Sequence, residues 1–288
     1  MTPILQSRIK YSIALMQKVE SLALKYHPDG FYLAFSGGKD SQVLYHIAKE
    51  AGVRFTAHMN LTSVDPPEVI RFVKQYYPDV ELIKPKASMY DLTIKHRILP
   101  TRKIRWCCAE YKELSGAGRL TLLGIRKAES PRRKKRNEFE IQGNRLSVNF
   151  DQFNIDREQI LTCVKGNDKL LLNPILEWMN NDVWSYICDN NIPYCSLYDE
   201  GYTRIGCILC PMQNYKSSIR DIKRYPHAKR KWEQTIQKMI DAGYFKTSKL
   251  KNLTAETCFN WWISGKSYDK FYADEFLQGK LDFDFNNT

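Results

Sequence analysis

Phe31-Tyr32-Leu33-Ala34-Phe35-Ser36-Gly37-Gly38-Lys39-Asp40-Ser41-Gln42-Val43-Leu44-Tyr45-His46-Ile47-Ala48 is the stretch whose reading decides the fold. Its first five residues have the length and aromatic content of a buried strand, and its last seven carry apolar residues at helical spacing. Between them, residues 36–41 make a strand-to-helix turn. Gly37 and Gly38 permit positive φ and close approach of the backbone, and the turn opens a helix whose N-terminal dipole favours an anion. Lys39 adds a mobile positive charge, Ser36 and Ser41 add hydroxyl donors, and Asp40 either orders the loop or holds Mg²⁺. The turn therefore reads as a phosphate cradle. It is not the Walker A loop, because Gly38-Lys39 is followed by Asp40 and no glycine stands five residues back.

The elements on either side extend the pattern. Residues 7–26 carry helical spacing, Val53-Arg54-Phe55-Thr56-Ala57-His58 reads as the next strand, and Pro66-Pro67-Glu68 opens a helix that runs to Tyr76. Val80-Glu81-Leu82-Ile83 and Leu120-Thr121-Leu122-Leu123-Gly124-Ile125 are further strands, the second without polar alternation. Near-continuous apolar strands separated by helices imply an α/β fold, with a mainly parallel sheet covered on both faces and ligands at the carboxyl ends of its strands. The turn at 36–41 and the basic run beginning at Arg126 would both lie on that edge.

A main domain over residues 1–242 is expected, with an inserted, partly mobile excursion over the site at 137–169 and a helical C-terminal tail at 243–288. A helix is expected at 180–189 and a longer basic helical region at 214–242. Trp261-Trp262 and the other aromatics of the tail read as packing rather than as platforms for bases.

With 288 residues and 43% hydrophobic composition, the chain can bury a sizeable core. The N-terminal residues lack a signal peptide's pattern, and no apolar stretch approaches the ~20 residues that span a bilayer, so a cytoplasmic location without membrane association is expected. The net charge is +12, and residues 126–136 hold seven basic residues in eleven. Such a run is either a solvated loop or a binding segment for sulfate, phosphate or a nucleic-acid backbone.

The eight cysteines point away from a disulfide framework and towards metal or redox chemistry, because four of them form two tight pairs, Cys107-Cys108 and Cys207-Ile208-Leu209-Cys210. Cys163, Cys188, Cys195 and Cys258 stand alone and read as small buried residues. Two pairs supply four ligands for either zinc or an iron–sulfur cluster. Adjacent cysteines diverge in direction, which is awkward around one tetrahedral ion and suits the separated iron corners of a cubane.

Residues 36–41 resemble the PP-loop of the adenine nucleotide α-hydrolase-like superfamily, a Rossmann-like fold whose members bind ATP or adenylyl sulfates. Within it, Arg105-Trp106-Cys107-Cys108-Ala109-Glu110-Tyr111-Lys112 resembles the R-x-C-C-x-x-x-K segment of the phosphoadenylyl-sulfate/adenylyl-sulfate reductase family. Gly124-Ile125-Arg126-Lys127-Ala128-Glu129-Ser130 resembles its G-x-R-x-x-x-S turn. Asn173-Pro174-Ile175-Leu176-Glu177-Trp178 with Asp182-Val183-Trp184, then Ile192-Pro193-Tyr194 to Leu197-Tyr198-Asp199-Glu200-Gly201-Tyr202, and finally Gly206-Cys207-Ile208-Leu209-Cys210-Pro211 continue the match in order.

The resemblance implies that Cys107, Cys108, Cys207 and Cys210 ligate a 4Fe-4S cluster. It implies that Ser36, Gly37, Gly38, Lys39, Asp40 and Ser41 hold the nucleotide's phosphate or sulfate, joined by Arg126, Ser130, Arg132 and Arg133. Lys39, Asp40 and Arg126 are the expected catalytic residues, and Lys112 would lie near the cluster and substrate. The family's reductases use a cysteine in a Glu-Cys-Gly-x-His type segment, which these 288 residues do not contain; the late cysteine, Cys258, is flanked by large aromatics. The expectation is therefore an ATP pyrophosphatase that activates an acceptor for sulfur transfer, as in family members involved in DNA phosphorothioation and in PP-loop enzymes of tRNA thiolation. ATP and Mg²⁺, a sulfur-donor protein of the cysteine desulfurase or thioredoxin-like kind, and a nucleic-acid acceptor are the implied partners. A thiol-dependent reductase and a non-catalytic nucleotide sensor are the alternatives.

Overall fold

In the computed structural model, residues 1–113, 115–141, 144–147, 169–246, 250 and 253–277 are described. They divide into two compact units, each assembled from separated stretches of chain. The first holds residues 1–61, 66–84 and 111–206; the second holds 62–65, 85–110 and 207–288. These boundaries differ from a division at residue 242, because the chain leaves the first unit and returns to it twice.

Helix α1 (Pro3–Tyr26) opens the first unit, capped by the Thr2 hydroxyl, which accepts the Leu5 N–H at 3.2 Å. Leu5, Ile9, Ser12, Met16, Val19 and Ala23 are its buried stripe, at the three-and-four spacing of one helical face. Strand β1 (Phe31–Ala34) leads through the loop into α2 (Lys39–Glu50), followed by β2 (Phe55–Asn60), α3 (Pro67–Tyr76) and β3 (Glu81–Ile83). β4 (Leu120–Leu122), β5 (Phe139–Ile141), β6 (Asn144–Ser147) and β7 (Leu170–Leu172) complete a seven-stranded sheet in the order β3-β2-β1-β4-β7-β5-β6. The pairs from β3 through β7 are parallel, and β5 and β6 add an antiparallel edge.

The expected strand at 53–58 is set two residues later, and the one at 120–125 ends at Leu122, where the chain turns towards the site. Residues 139–141 and 144–147 of the expected excursion are strands of the sheet edge, and 142–143 and 148–168, with Cys163, lie outside the described residues. Edge pairing with β7 satisfies backbone groups that a loose loop would leave to water.

In this strand order β2 and β3 are laid down on one side of β1 and β4 on the other, so the order of addition switches between β1 and β4, parallel neighbours in register Tyr32↔Thr121 and Leu33↔Leu122. Open α/β sheets bind ligands at such a switch point, beyond the carboxyl ends of the strands. The loop at 36–41 follows β1, and Gly124-Ile125-Arg126 follows β4.

The second unit is helical, with α4 (Met89–His96) followed by helices at Tyr215–Arg224, Pro226–Asp241, Ala255–Ser264 and Tyr268–Leu277. Pro226 splits the expected 214–242 helical region in two, having no N–H to continue the first helix. Trp232 and Trp262 pack with ring centroids 4.5 Å apart, and the Trp262 indole donates to the Pro100 carbonyl at 2.6 Å. Trp262 and Phe259 are thus core residues. No helix among the described residues is long and apolar enough to cross a membrane.

Candidate functional site

The phosphate loop of the first unit is built by close approach. Gly37 takes φ +69°, and a Cβ there would lie 2.7 Å from Val69 Cγ1. A Cβ on Gly124 would lie 2.9 Å from the Asp40 carbonyl oxygen, so glycine after β4 is what lets that strand's exit pass against the start of α2. The Ser41 hydroxyl donates to the Gly38 carbonyl at 2.8 Å and accepts the Ser36 N–H at 3.2 Å, and Ser36 Oγ stands 3.1 Å from it. Gly38 is the N-cap of α2, whose first N–H groups have no partners inside the helix.

Asp40 is the hub. Its Oδ1 accepts from Arg126 Nε at 2.6 Å and its Oδ2 from Lys39 Nζ at 3.2 Å. Arg126 is 2% exposed and Lys39 is 4% exposed, so both cations are buried against this one carboxylate. In this geometry Asp40 orders the loop, each of its oxygens meeting one cation. Arg126 also donates to the Trp178 carbonyl at 3.3 Å, and its own N–H goes to Glu129 Oε2 at 3.0 Å.

Arg133 pairs with Glu129. Its guanidinium is pushed down to about 10, chiefly by burial and then by the positive charge of Arg204, with Asp40 opposing and Arg136 and Arg126 adding to the shift. Ser130 is half-buried, and its Oγ accepts the Arg133 N–H at 3.3 Å. Arg132 is exposed and makes no ion pair among the described residues. The structure therefore brings Lys39, Asp40, Arg126 and Arg133 together with the loop, and leaves Arg132 on the surface.

The basic run is less available to a polyanion than its composition implies. Arg126, Lys127, Arg133 and Arg136 are engaged by Asp40, Glu177, Glu129 and Glu140, leaving Arg132, Lys134 and Lys135 exposed.

Two residues absent from the expected site stand in it. The Tyr198 hydroxyl accepts the Lys39 N–H at 2.8 Å, and its ring lies 5.8 Å from Lys39 Nζ. Burial pushes this phenol well above its ordinary range, so it is neutral. Arg204 adds its charge to Arg133 and Tyr198, next to Thr203, whose carbonyl stands 3.5 Å from Lys39 Nζ. Its signal was one basic residue two positions after Tyr202. Because Arg204 is exposed and its charge reaches Arg133, Arg204→Ala is expected to raise the dissociation constant for an adenine nucleotide about tenfold, measured by titration calorimetry, without lowering the melting temperature.

The four paired cysteines all fall in the second unit. Cys107 and Cys108 end a helical turn, Trp106–Cys108, that continues as a π-helical turn, Ala109–Glu113, in which Lys112 is exposed. The Cys207 to Cys210 turn is held by the Cys210 N–H on the Cys207 carbonyl at 3.3 Å and by the Leu209 N–H on Asp221 Oδ2 at 2.9 Å. Leu209 sits at φ +55°, strain for a branched side chain that buried Asp221 offsets.

The Cys107 thiol is pushed up by its hydrogen bond with Cys108, by burial, and by the charges of Cys108, Cys207 and Cys210, which places the four sulfurs in one electrostatic neighbourhood. Cys108 Sγ accepts from Arg105 Nη2 at 3.1 Å, and Cys207 Sγ lies 3.4 Å from Thr62 Oγ1. Four half-buried sulfurs with such donors are a soft ligand set fit for zinc or an iron–sulfur cluster. Among the described residues no three His, Cys, Asp or Glu side chains converge as a site for a single ion. Cys258 is fully buried, and burial pushes its thiol up to about 12.

Residues 30–213, nearly two-thirds of the chain, match the model of the phosphoadenosine phosphosulfate reductase domain. The chain belongs to this family. An uncharacterized protein of Methanocaldococcus jannaschii is 27% identical over 207 residues, covering 71% of this chain and 47% of that protein. The adenosine 5'-phosphosulfate reductase of Lysinibacillus sphaericus is 30% identical over 155 residues, covering 50% of this chain and 55% of that enzyme. The chain spans about half the length of these relatives. The crystal structure of a phosphoadenylyl-sulfate reductase from Candida auris, a phosphate complex, aligns with a TM-score of 0.45 and 19% identity over 72% of this chain and 96% of that one.

Proposed function

We propose that this member of the family is an ATP pyrophosphatase that activates a nucleic-acid acceptor for sulfur transfer. In this reading an acceptor oxygen attacks the α-phosphate of ATP and pyrophosphate leaves; sulfide-level sulfur, freed when a thiol reductant cleaves the S–S bond of a donor protein's persulfide and is itself left as a disulfide, then displaces the adenylylated oxygen with release of AMP. The helix N-terminus, Lys39 and the Arg133–Arg204 pair carry the charge of the leaving pyrophosphate, and a phosphate oxygen takes the Lys39 N–H from the Tyr198 hydroxyl. Arg126 and Asp40 keep Lys39 and the loop in place.

The observation that carries the reading over a reductase is Cys258. Reductive attack on a sulfonucleotide needs an exposed thiolate, and this thiol is sealed in the second unit's core with its pKa near 12. Cys107, Cys108, Cys207 and Cys210 would hold a 4Fe-4S cluster, which supplies soft iron for sulfur ligands when bound. The named reductase among the relatives keeps sulfite release as the second reading.

Anaerobic incubation with ATP and, separately, with adenylyl sulfates, reading out pyrophosphate and sulfite, separates the two. Pyrophosphate release that drops at least a hundredfold in Lys39→Ala is expected, because a buried cation that meets the leaving charge is lost. Release that survives Lys39→Ala sinks the proposal. Thiol-dependent sulfite release that vanishes in Cys258→Ser establishes the reductase.

A further inference from the structure

The chain's positive charge is not spread evenly. Of the net +12, +8 belongs to the second unit, which has 20 Lys and Arg against 12 Asp and Glu. In the first unit the conspicuous basic run is largely consumed by internal ion pairs. In the second, exposed Lys103, Lys216, Lys223 and Arg230 make no ion pair among the described residues.

Helix Tyr215–Arg224 carries Lys216, Arg220, Lys223 and Arg224 and a single carboxylate, Asp221. That carboxylate is buried, accepting from the Leu209 N–H and from Gln213 Nε2, each at 2.9 Å. The exposed side of the helix is therefore uniformly positive, and Lys216 and Lys223, seven residues apart, share one face of it.

Among the described residues, the exposed large apolar side chains of the second unit are Ile98, Ile104, Met212 and Tyr215. Every one flanks a cysteine pair, within nine residues before Cys107 or five after Cys210. Arg102 ties the two flanks together, donating from Nε to the Pro211 carbonyl at 3.0 Å and from Nη2 to the Gln213 carbonyl at 2.8 Å. Tyr215, 53% exposed, stands at the start of the positive helix.

We propose that this rim, Lys103 and Ile104 with Met212, Tyr215, Lys216 and Lys223, binds a single-stranded segment of nucleic acid beside the four cysteines. The proposal rests on the reading of the acceptor as a nucleic acid and names the surface that receives it. Unpaired lysines along a helix suit phosphates, and an exposed tyrosine gives an unstacked base a platform. Single apolar side chains set among cations do not make the contiguous apolar centre of a protein–protein interface.

The test is fluorescence anisotropy of a labelled 20-nucleotide thymidine oligomer, and of its uridine RNA counterpart, with the full chain at several salt concentrations and without ATP. The triple variant Lys103→Glu, Lys216→Glu, Lys223→Glu is expected to bind at least tenfold more weakly and to lose about 2 from the log–log salt slope, roughly 0.7 for each of the three contacts. Tyr215→Ala is expected to weaken binding about tenfold with the slope unchanged. Lys134→Glu with Lys135→Glu, in the first unit, should stay within twofold of wild type. Wild-type chain that binds neither oligomer, equal affinity in the triple variant, or loss of binding in the Lys134/Lys135 variant instead, each overturns the proposal. Circular dichroism confirms that the variants fold. The pyrophosphatase reading fails separately, on the Lys39→Ala assay, with oligomer binding untouched.

Discussion

Asp40→Ala should lower the melting temperature by roughly 6–20 °C and abolish ATP-dependent pyrophosphate release. The physical reason is the state in which it leaves Arg126. With Asp40 gone, a guanidinium that is 2% exposed keeps the Trp178 carbonyl as an acceptor and loses its one ion pair among the described residues, while buried Lys39 loses the same partner. Removing one member of a buried pair costs about 3–5 kcal/mol, and each kcal/mol moves the midpoint of a domain this size by about 2–4 °C. The loss is dominated by the stranded cation, so Asp40→Ala combined with Arg126→Leu should recover part of the stability by differential scanning fluorimetry. A double variant as unstable as the sum of its singles would show that Asp40 acts through something other than this pair. Activity should not return with stability, since Lys39 remains without its guide.

Anaerobically purified protein should be brown and carry about four iron and four sulfide per chain, with each of Cys107→Ser, Cys108→Ser, Cys207→Ser and Cys210→Ser losing most of the iron and the broad visible absorbance. Cys188→Ser, at a cysteine of the first unit that is exposed rather than the small buried residue its isolation suggested, should keep both. Asp221→Ala should fall between: it removes the acceptor of the Leu209 N–H and frees a turn whose Leu209 is held at positive φ, so Cys207 and Cys210 lose their mutual geometry while both thiols remain. Iron content near that of wild type in Asp221→Ala would remove the turn from the account. Colourless protein with a single zinc would replace the cluster.

The two sites differ in how much of each is legible in the residues. The loop at 36–41 is contiguous, and its chemistry follows from local rules: glycines for positive φ, a helix start for the anion, a lysine for charge. The cysteine pairs are legible for the same reason, since Cys207 and Cys210, with two residues between them, can meet one centre wherever the chain goes, and adjacent Cys107 and Cys108 suit the separated corners of a cluster. Tyr198 stands in a stretch that carries the family resemblance, yet nothing local gives it Lys39 as a partner, and Arg204 and Asp221 lie outside such patterns altogether. Each acts on a segment at least eleven residues away, Tyr198 on Lys39, Arg204 on Arg133 and Asp221 on Leu209, and no periodicity or motif marks a residue for a contact it makes only after folding.

The basic run shows the opposite error of a purely linear reading. Seven cations in eleven residues read as an open positive surface, yet the fold turns four of them onto carboxylates, three of which lie at 40, 129 and 140 and the fourth at 177. A charge run reports composition; whether it faces solvent depends on partners brought in by other strands and turns.

The chain by itself determined the parallel α/β class, the phosphate loop and the two cysteine pairs, because hydrophobic spacing, glycine conformation and ligand spacing all act within about ten residues. Only the tertiary structure decided that β1 and β4 are neighbours, which sets Arg126 on Asp40. It alone turned four cations of the run at 126–136 onto carboxylates, with Arg132, Lys134 and Lys135 left exposed there, and kept Lys103, Lys216 and Lys223 out of ion pairs among the described residues of the second unit. Strand order, burial and ion pairing are long-range outcomes, settled by which apolar faces cover one another and which buried charges must be met.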